Sequence, residues 1–407
     1  RQALIGMSAA TALGASAPLF AQSGPIRIGS SLAITGPLSP TALVHKLTGE
    51  ICLEELNKRG GLLGRKVEWV LKDDQSKPDV VRTLYEQLVT VDKVDLLLGP
   101  YATPNILSAM GVAQRYNKMI VHHSFGMPHL AKYERQFPTW ATGVEPAKTT
   151  SDIVLDFMAS MPNPPKRIAI VTSKFAPCQL IAQGMREGVK RRGLTELMYL
   201  EWDFGNRDFG AIASRLKDAK PDFIYAGVIA MEGMMLIDAM KKIDYKLPPM
   251  FHHLPSPGPM VNSADAQGVL VATIFEEHEP MLSQFGAREF VPQFNQRAKA
   301  AGLPDNAVDT QAAVSYAAWQ VLEAGVKGAN SFDDSAISQW LKKNTVQTIQ
   351  GPMKFDGPNN YGNDLTKIKQ VQHKDWVVVW PRAFAKPGTQ YRSEEHTSAL
   401  QSHSFIS

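Results

Sequence analysis

Hydrophobic positions fall into two alternating patterns along this chain. Short apolar runs bounded by glycine, proline and polar residues read as buried strands. Between them lie longer stretches with an apolar residue every three or four positions, which read as helices. From Ile26 the pattern predicts strands at 26–32, 67–71, 94–98, 119–121 and 137–142, and helices over 48–58, 78–91 and 103–116. It then restarts, with predicted strands at 167–172, 197–202, 222–226, one ending at 250–251, and 268–274. The accompanying helices are predicted over 179–192, 209–216 and 232–242. Helices at 287–301, 309–327 and 333–343 follow, then segments 347–350 and 353–355 flanking Gly351-Pro352, and closing strands at 368–372 and 376–380.

Two such series imply an α/β fold of two doubly wound parallel-sheet lobes. The spacing leaves room for chain crossings near Thr142, Glu276 and Gly351, a three-crossing hinge that closes freely and resists shear. On that division, 24–142 with 276–351 make the first lobe, and 143–275 with 352–391 the second. Covered parallel sheets bind ligands beyond the carboxyl ends of their strands.

The ends have a different character. Ala3 to Phe20 is apolar and small, without acid, and Ala21 is a small residue suited to cleavage, so residues 1–21 read as a signal peptide with cleavage expected after Ala21 and a periplasmic destination. Residues 392–407 are polar and aperiodic, closely resemble a translated sequencing adapter, and otherwise read as a disordered tail. No function is assigned to either.

Charge narrows the partners. The chain has 43 basic and 39 acidic residues, a net +4, and no basic cluster interleaved with aromatics, so no nucleic-acid partner is expected. The two cysteines, Cys52 and Cys178, fall in different lobes, and no disulfide is expected. Asp73-Asp74 could suggest acid–base chemistry, but at a strand end it reads as a turn or cap. No serine-hydrolase, zincin, P-loop or dinucleotide motif occurs, so a non-enzyme is expected, with a secreted two-lobed enzyme as the alternative.

Several motifs resemble one family. They are Ile28-Gly29 with Thr35-Gly36-Pro37, Glu54-Glu55-Leu56-Asn57, Gly60-Gly61-Leu62-Leu63-Gly64-Arg65, Asp73-Asp74, Gly99-Pro100, and Gly351-Pro352 through Phe355-Asp356 to Trp380-Pro381. The chain from Ile26 to about Pro381 is similar to the leucine/isoleucine/valine-binding group of type I periplasmic binding proteins, the receptors of branched-chain amino acid and amide ABC importers. The resemblance implies a monomeric, cofactor-free receptor that closes on a small molecule and presents it to a membrane permease. An amide-sensing domain is the other reading of the same fold.

The resemblance also places the site. Ligand contacts are expected from loops 35–42, 101–103 and 122–126 of the first lobe and 175–178, 228–231 and 254–257 of the second. The residues singled out are Tyr101, Ala102, Thr103, His122, His123, Ser124, Phe125, Phe175, Ile229, His252, Ser256 and Glu276. Thr103 reads as the cap of the helix that Pro104 begins, suited to a carboxylate. Where the amino-acid binders carry tyrosines, this chain has Phe175 and Ile229, and their acidic residue falls near Pro255 or Ser256. A buried ammonium without a counter-charge is costly. These departures therefore favour an apolar or aromatic carboxylate, or an amide, over a simple amino acid. The pairs His122-His123 and His252-His253 end strands in opposite lobes. They read as strand-end packing, as ligand contacts with one histidine of each pair facing the ligand, or as a metal site; no metal is assigned.

Overall fold

The architecture follows from where the apolar runs are covered. A computed structural model describes residues 24–229, 231–253, 258–303 and 305–392. The first series folds as β1 (Ile26–Leu32), α1 (Ser39–Lys58), β2 (Val67–Asp73), α2 (Pro78–Thr90), β3 (Leu96–Leu98), α3 (Thr103–Arg115), β4 (Ile120–His122) and β5 (Gln136–Pro138). Their sheet has the order β2-β1-β3-β4-β5 and is parallel throughout. Reversal of order beside β1 is the switch point at which such sheets leave a crevice at their carboxyl edge.

The second series begins with α4 (Pro146–Ala159) and continues as β6 (Arg167–Ser173), α5 (Ala176–Arg191), β7 (Thr195–Trp202), α6 (Gly210–Ala219), β8 (Phe223–Gly227), α7 (Glu232–Lys242), β9 (Met250–His252) and β10 (Leu270–Thr273). After α8 (Ala287–Ala300), α9 (Thr310–Ala329), α10 (Asp334–Lys343), β11 (Val346–Thr348) and β12 (Gly351–Met353), the chain ends in β13 (Lys367–Gln372) and β14 (Asp375–Trp380). The second sheet runs β14-β13-β10-β9-β8-β6-β7. It is mixed rather than all parallel, because β13 is antiparallel to both β10 and β14.

Each sheet has its own core. Ile26, Ile28 and Leu98 pack with Phe290, Phe294 and Trp319, so α8 and α9 cover the first sheet although they follow the second in sequence. Ile168, Ile170, Phe223, Ile224, Phe251 and Val271 belong to the other core, with α4, α5 and α7. The glycine run after α1 turns the chain into β2. Gly61 has φ +73°, and a Cβ there would meet the Arg65 carbonyl oxygen at 1.9 Å, so only glycine fits.

Three segments join the sheets, after β5, after β10 and before β13. The third was expected near Gly351. Instead β12 pairs with β11, and Met353, Phe355 and Tyr361 are buried against the first sheet, so the chain crosses only at about 362–366. The segments are tied together. Thr142 and Asp364 form an antiparallel bridge, and the Leu365 N–H donates to the Ala141 carbonyl at 2.8 Å. Lys367 Nζ donates to the carbonyls of Ile274 (3.1 Å) and Leu365 (2.7 Å).

Two helices depart furthest from expectation. Helix α1 starts at Ser39, nine residues before the predicted start, so the expected ligand loop 35–42 is half helix. No element was expected between Thr142 and Arg167, where α4 lies. Its stripe of Val154, Leu155, Phe157 and Met158 is buried, but its first turn is polar and reads as loop. Cys52 and Cys178 are both buried and free.

Candidate functional site

The carboxyl ends of β3, β6 and β8 point into the space between the sheets, and the loops that follow them build one cavity of about 360 Å³. The first sheet supplies Leu38, Tyr101, Ala102, Thr103, Asn105 and Ser124, with Gln311 from α9. The second supplies Phe175, Ile181, Phe204, Ile229, His253 and Ala272. Trp140, Thr142 and Thr366 enter from the crossing segments. Among the described residues, no Asp, Glu, Lys or Arg lines it.

The wall at α3 is polar. Ala102 precedes the helix with φ +75°, and Thr103 is its first residue rather than its cap, followed by Pro104. Thr103 Oγ1 accepts from the Gly126 N–H at 3.0 Å, which pins the loop after β4 against α3. Asn105 is buried, and its Nδ2 has no partner in the protein. A buried donor left alone costs about 1–3 kcal/mol. It lies in the first helical turn, where N–H groups are free and the dipole favours an anion.

The opposite wall is apolar. Phe175 and Phe204 stand 5.3 Å apart at a 40° tilt, with Ile229 beside them. Its polar member is His253, whose Nδ1 is buried without a partner. Burial lowers the His253 pKa to about 4, so the ring is neutral at pH 7. Thr142 Oγ1, in the crossing, is likewise unpartnered.

Six of the twelve expected contacts line this cavity: Tyr101, Ala102, Thr103, Ser124, Phe175 and Ile229. Five lie elsewhere. His122 ends β4 facing inward, with Nε2 2.5 Å from Gln136 Oε1 and its ring edge-on to Phe125. His123 points to the other face, where it stacks on His45. Phe125 is fully buried in the core under α2 and α3. His252 packs so tightly on α7 that a Cβ at Gly233 would meet its Cδ2 at 2.1 Å. Glu276 is paired with Lys369 at 2.7 Å, both nearly buried. His122 and His252 end strands of sheets covered on both faces, so their side chains are buried in the layers while the cavity lies beyond the strand tips; Phe125 is drawn into the core from the segment after β4, and Glu276 is held in the crossing by Lys369. Ser256 lies outside the described residues.

The expected contacts omitted Asn105, Trp140, Phe204 and Gln311, and left open which histidine of the His252-His253 pair faces the cavity; it is His253. Asn105 was within reach, two residues past Thr103 on the same helical start. Gln311 was not, because α9 joins the first lobe only through the fold. Asp73 and Asp74 serve the loop after β2. Asp73 accepts from Thr35 Oγ1 (2.7 Å) and Asp74 from Ser31 Oγ (2.8 Å).

Comparison with known proteins gives the same architecture. Residues 25–375 match the family described as periplasmic binding protein. The Leu/Ile/Val-binding protein homolog 3 of Brucella melitensis is 26% identical over 315 residues, covering 76% of this chain and 81% of that protein. The branched-chain amino acid transporter substrate-binding protein LivJ of Streptococcus pneumoniae, solved with isoleucine, is 18% identical with a TM-score of 0.72, over 86% of this chain and 97% of that one. An ABC transporter solute-binding protein of R. palustris, solved with benzoate, is also 18% identical with a TM-score of 0.72, over 91% of this chain and all of that one.

Proposed function

Since this chain belongs to the periplasmic binding protein family, in its type I leucine/isoleucine/valine-binding branch, we propose that it captures a small aromatic or apolar carboxylate for an ABC importer. The protein works in the periplasm as a monomer, closes on its ligand, and offers the closed form to a membrane permease without altering what it carries. Closure follows from differential affinity, because only the closed form brings both walls onto the ligand.

The observation that carries the ligand class is the cavity's charge. An α-amino acid would bring an ammonium into a space where no carboxylate lines the wall among the described residues. That burial costs several kcal/mol. A carboxylate needs no cation there: the first turn of α3 and Asn105 Nδ2 offer donors. The ring then lies between Phe175, Phe204 and Ile229, and His253 meets a polar group at the far end. Benzoate in the R. palustris structure supports the reading, in that the same fold takes an aromatic acid. We divide the lobes at the observed crossings, with residues up to Ala141 plus Phe275–Tyr361 in the first lobe.

A thermal-shift panel of benzoate, aliphatic acids, amides and leucine tests this. An aromatic acid at a hundred times its dissociation constant should stabilise the protein by about 2.7 kcal/mol. A shift with leucine and none with any acid lacking an ammonium would reject the ligand class.

A further inference from the structure

One buried carboxylate beneath the cavity is not used by anything above. Glu232 begins α7 and is 3% exposed. Its partners are four donors, none of them a cation. Oε1 accepts from Ser173 Oγ (3.2 Å), Trp202 Nε1 (3.2 Å) and the Gly205 N–H (3.4 Å), and Oε2 from the Ile229 N–H (3.2 Å). Burying a charge is tolerated only when such donors are supplied, and the start of a helix adds to them.

The donors have a common origin. Ser173 ends β6, Trp202 ends β7, and Ile229 follows β8, three neighbouring strands of the second sheet. Each donor also sits beside one apolar wall residue: Ser173 precedes Phe175 by two, Gly205 follows Phe204, and Ile229 is itself wall. Phe204 is 59% exposed; its ring centroid lies 5.3 Å from that of Phe175, and the residue after it, Gly205, bonds Glu232 through its N–H. We propose that Glu232 is a positioning residue, which sets the mutual placement of Phe175, Phe204 and Ile229 and through them the selectivity of the cavity for planar apolar ligands. This rests on the ligand reading above.

The test is Glu232→Gln, which keeps the shape and replaces one acceptor oxygen by a donor. With the amide oxygen on the Ser173 side, its NH2 faces the Ile229 N–H and that bond is lost. Hydrogen exchange of the ligand-free protein should then rise about tenfold at Ile229, the factor expected for one charge-assisted bond, and by less at Gly205, whose acceptor oxygen stays but loses its charge, with α7 from Leu236 onward unchanged. Benzoate affinity should fall by a similar factor. Phe204→Ala should weaken benzoate in the wild type and have little further effect in Glu232→Gln. Unchanged exchange, a rise spread over the whole molecule, or additive effects of the two substitutions would overturn the proposal. If Glu232→Gln fails to fold, Ser173→Ala removes one of the bonds that fix the carboxylate, so exchange should rise at both Gly205 and Ile229; no change at either overturns it as well. If benzoate does not bind the wild type, the ligand reading fails, and the exchange experiment still decides the role of Glu232.

Discussion

The rings of His45 and His123 lie face to face, with centroids 4.1 Å apart and planes 21° apart, behind the cavity wall that Tyr101 and Ser124 form. His45 is also 5.0 Å from the Tyr101 ring. Burial holds both imidazoles neutral, and each would repel a proton on the other. Burial likewise lowers the pKa of His122 to about 4 and of His252 to about 3.

Acid sensitivity follows. Folded values below the unfolded 6.5 mean that the unfolded chain takes up protons first, so stability is full above pH 6.5 and is lost as pH falls towards the folded values. Between pH 7 and about 5.5 each such imidazole should remove about 1 kcal/mol. Asp309, raised to about 6 by burial, works in the opposite sense and takes effect mainly below that window. Urea unfolding at the two pH values measures this; equal or greater stability at the lower pH would contradict it.

The two histidines that end β9 should separate cleanly. His253→Leu removes the ring nitrogen proposed to meet the ligand's polar group and should weaken the ligand by about 0.5–1.5 kcal/mol, roughly 2- to 12-fold, with little change in ligand-free stability. His252→Ala empties a packed site and should cost about 2–4 kcal/mol of stability with affinity nearly unchanged. Calorimetry on both variants checks the contrast, and the reverse pattern would place the wrong histidine in the cavity.

Asn105 gives a substitution with opposite signs. Asn105→Leu removes a buried donor that has no protein partner, so the ligand-free protein should become more stable by about 1 kcal/mol. Loss of a bond to a carboxylate should lower acid affinity by about 1.5–3 kcal/mol. A melting curve and a titration of the same sample suffice; a destabilised variant that binds as well as wild type refutes the assignment.

Glu276 and Lys369 form the buried ion pair of the second sheet beside the crossing, with Lys369 Nζ 4.1 Å from the Trp376 ring centroid. Lys369→Met alone strands the carboxylate and should cost about 3–5 kcal/mol. Adding Glu276→Gln should recover most of that loss. Purely additive losses in denaturant unfolding would deny the coupling.

Legibility in the sequence divided along physical lines. Elements whose apolar period was complete, such as β1 and α7, have the expected bounds, Ile26–Leu32 and Glu232–Lys242. Helix α4 was hidden by a polar first turn, and the third crossing by Met353 and Phe355, whose burial against the first sheet local pattern does not encode. At the candidate site, Tyr101, Thr103 and Phe175, which the resemblance places on loops after strands, line the cavity. Inside a histidine pair the choice of His253 over His252 depended on which face α7 covers. Gln311 depended on a helix more than 180 residues from Ser124, whose Oγ donates to it at 3.0 Å.

The proposed receptor is a cleft, without a charged side chain among the described residues, that shuts on an acid and releases it intact. Small-angle scattering of the full chain with and without saturating benzoate, alongside leucine, measures it most directly. The radius of gyration should shrink with benzoate and stay the same with leucine, and benzoate should be recovered unchanged. Compaction with leucine alone, or chemical conversion of the acid, would contradict it.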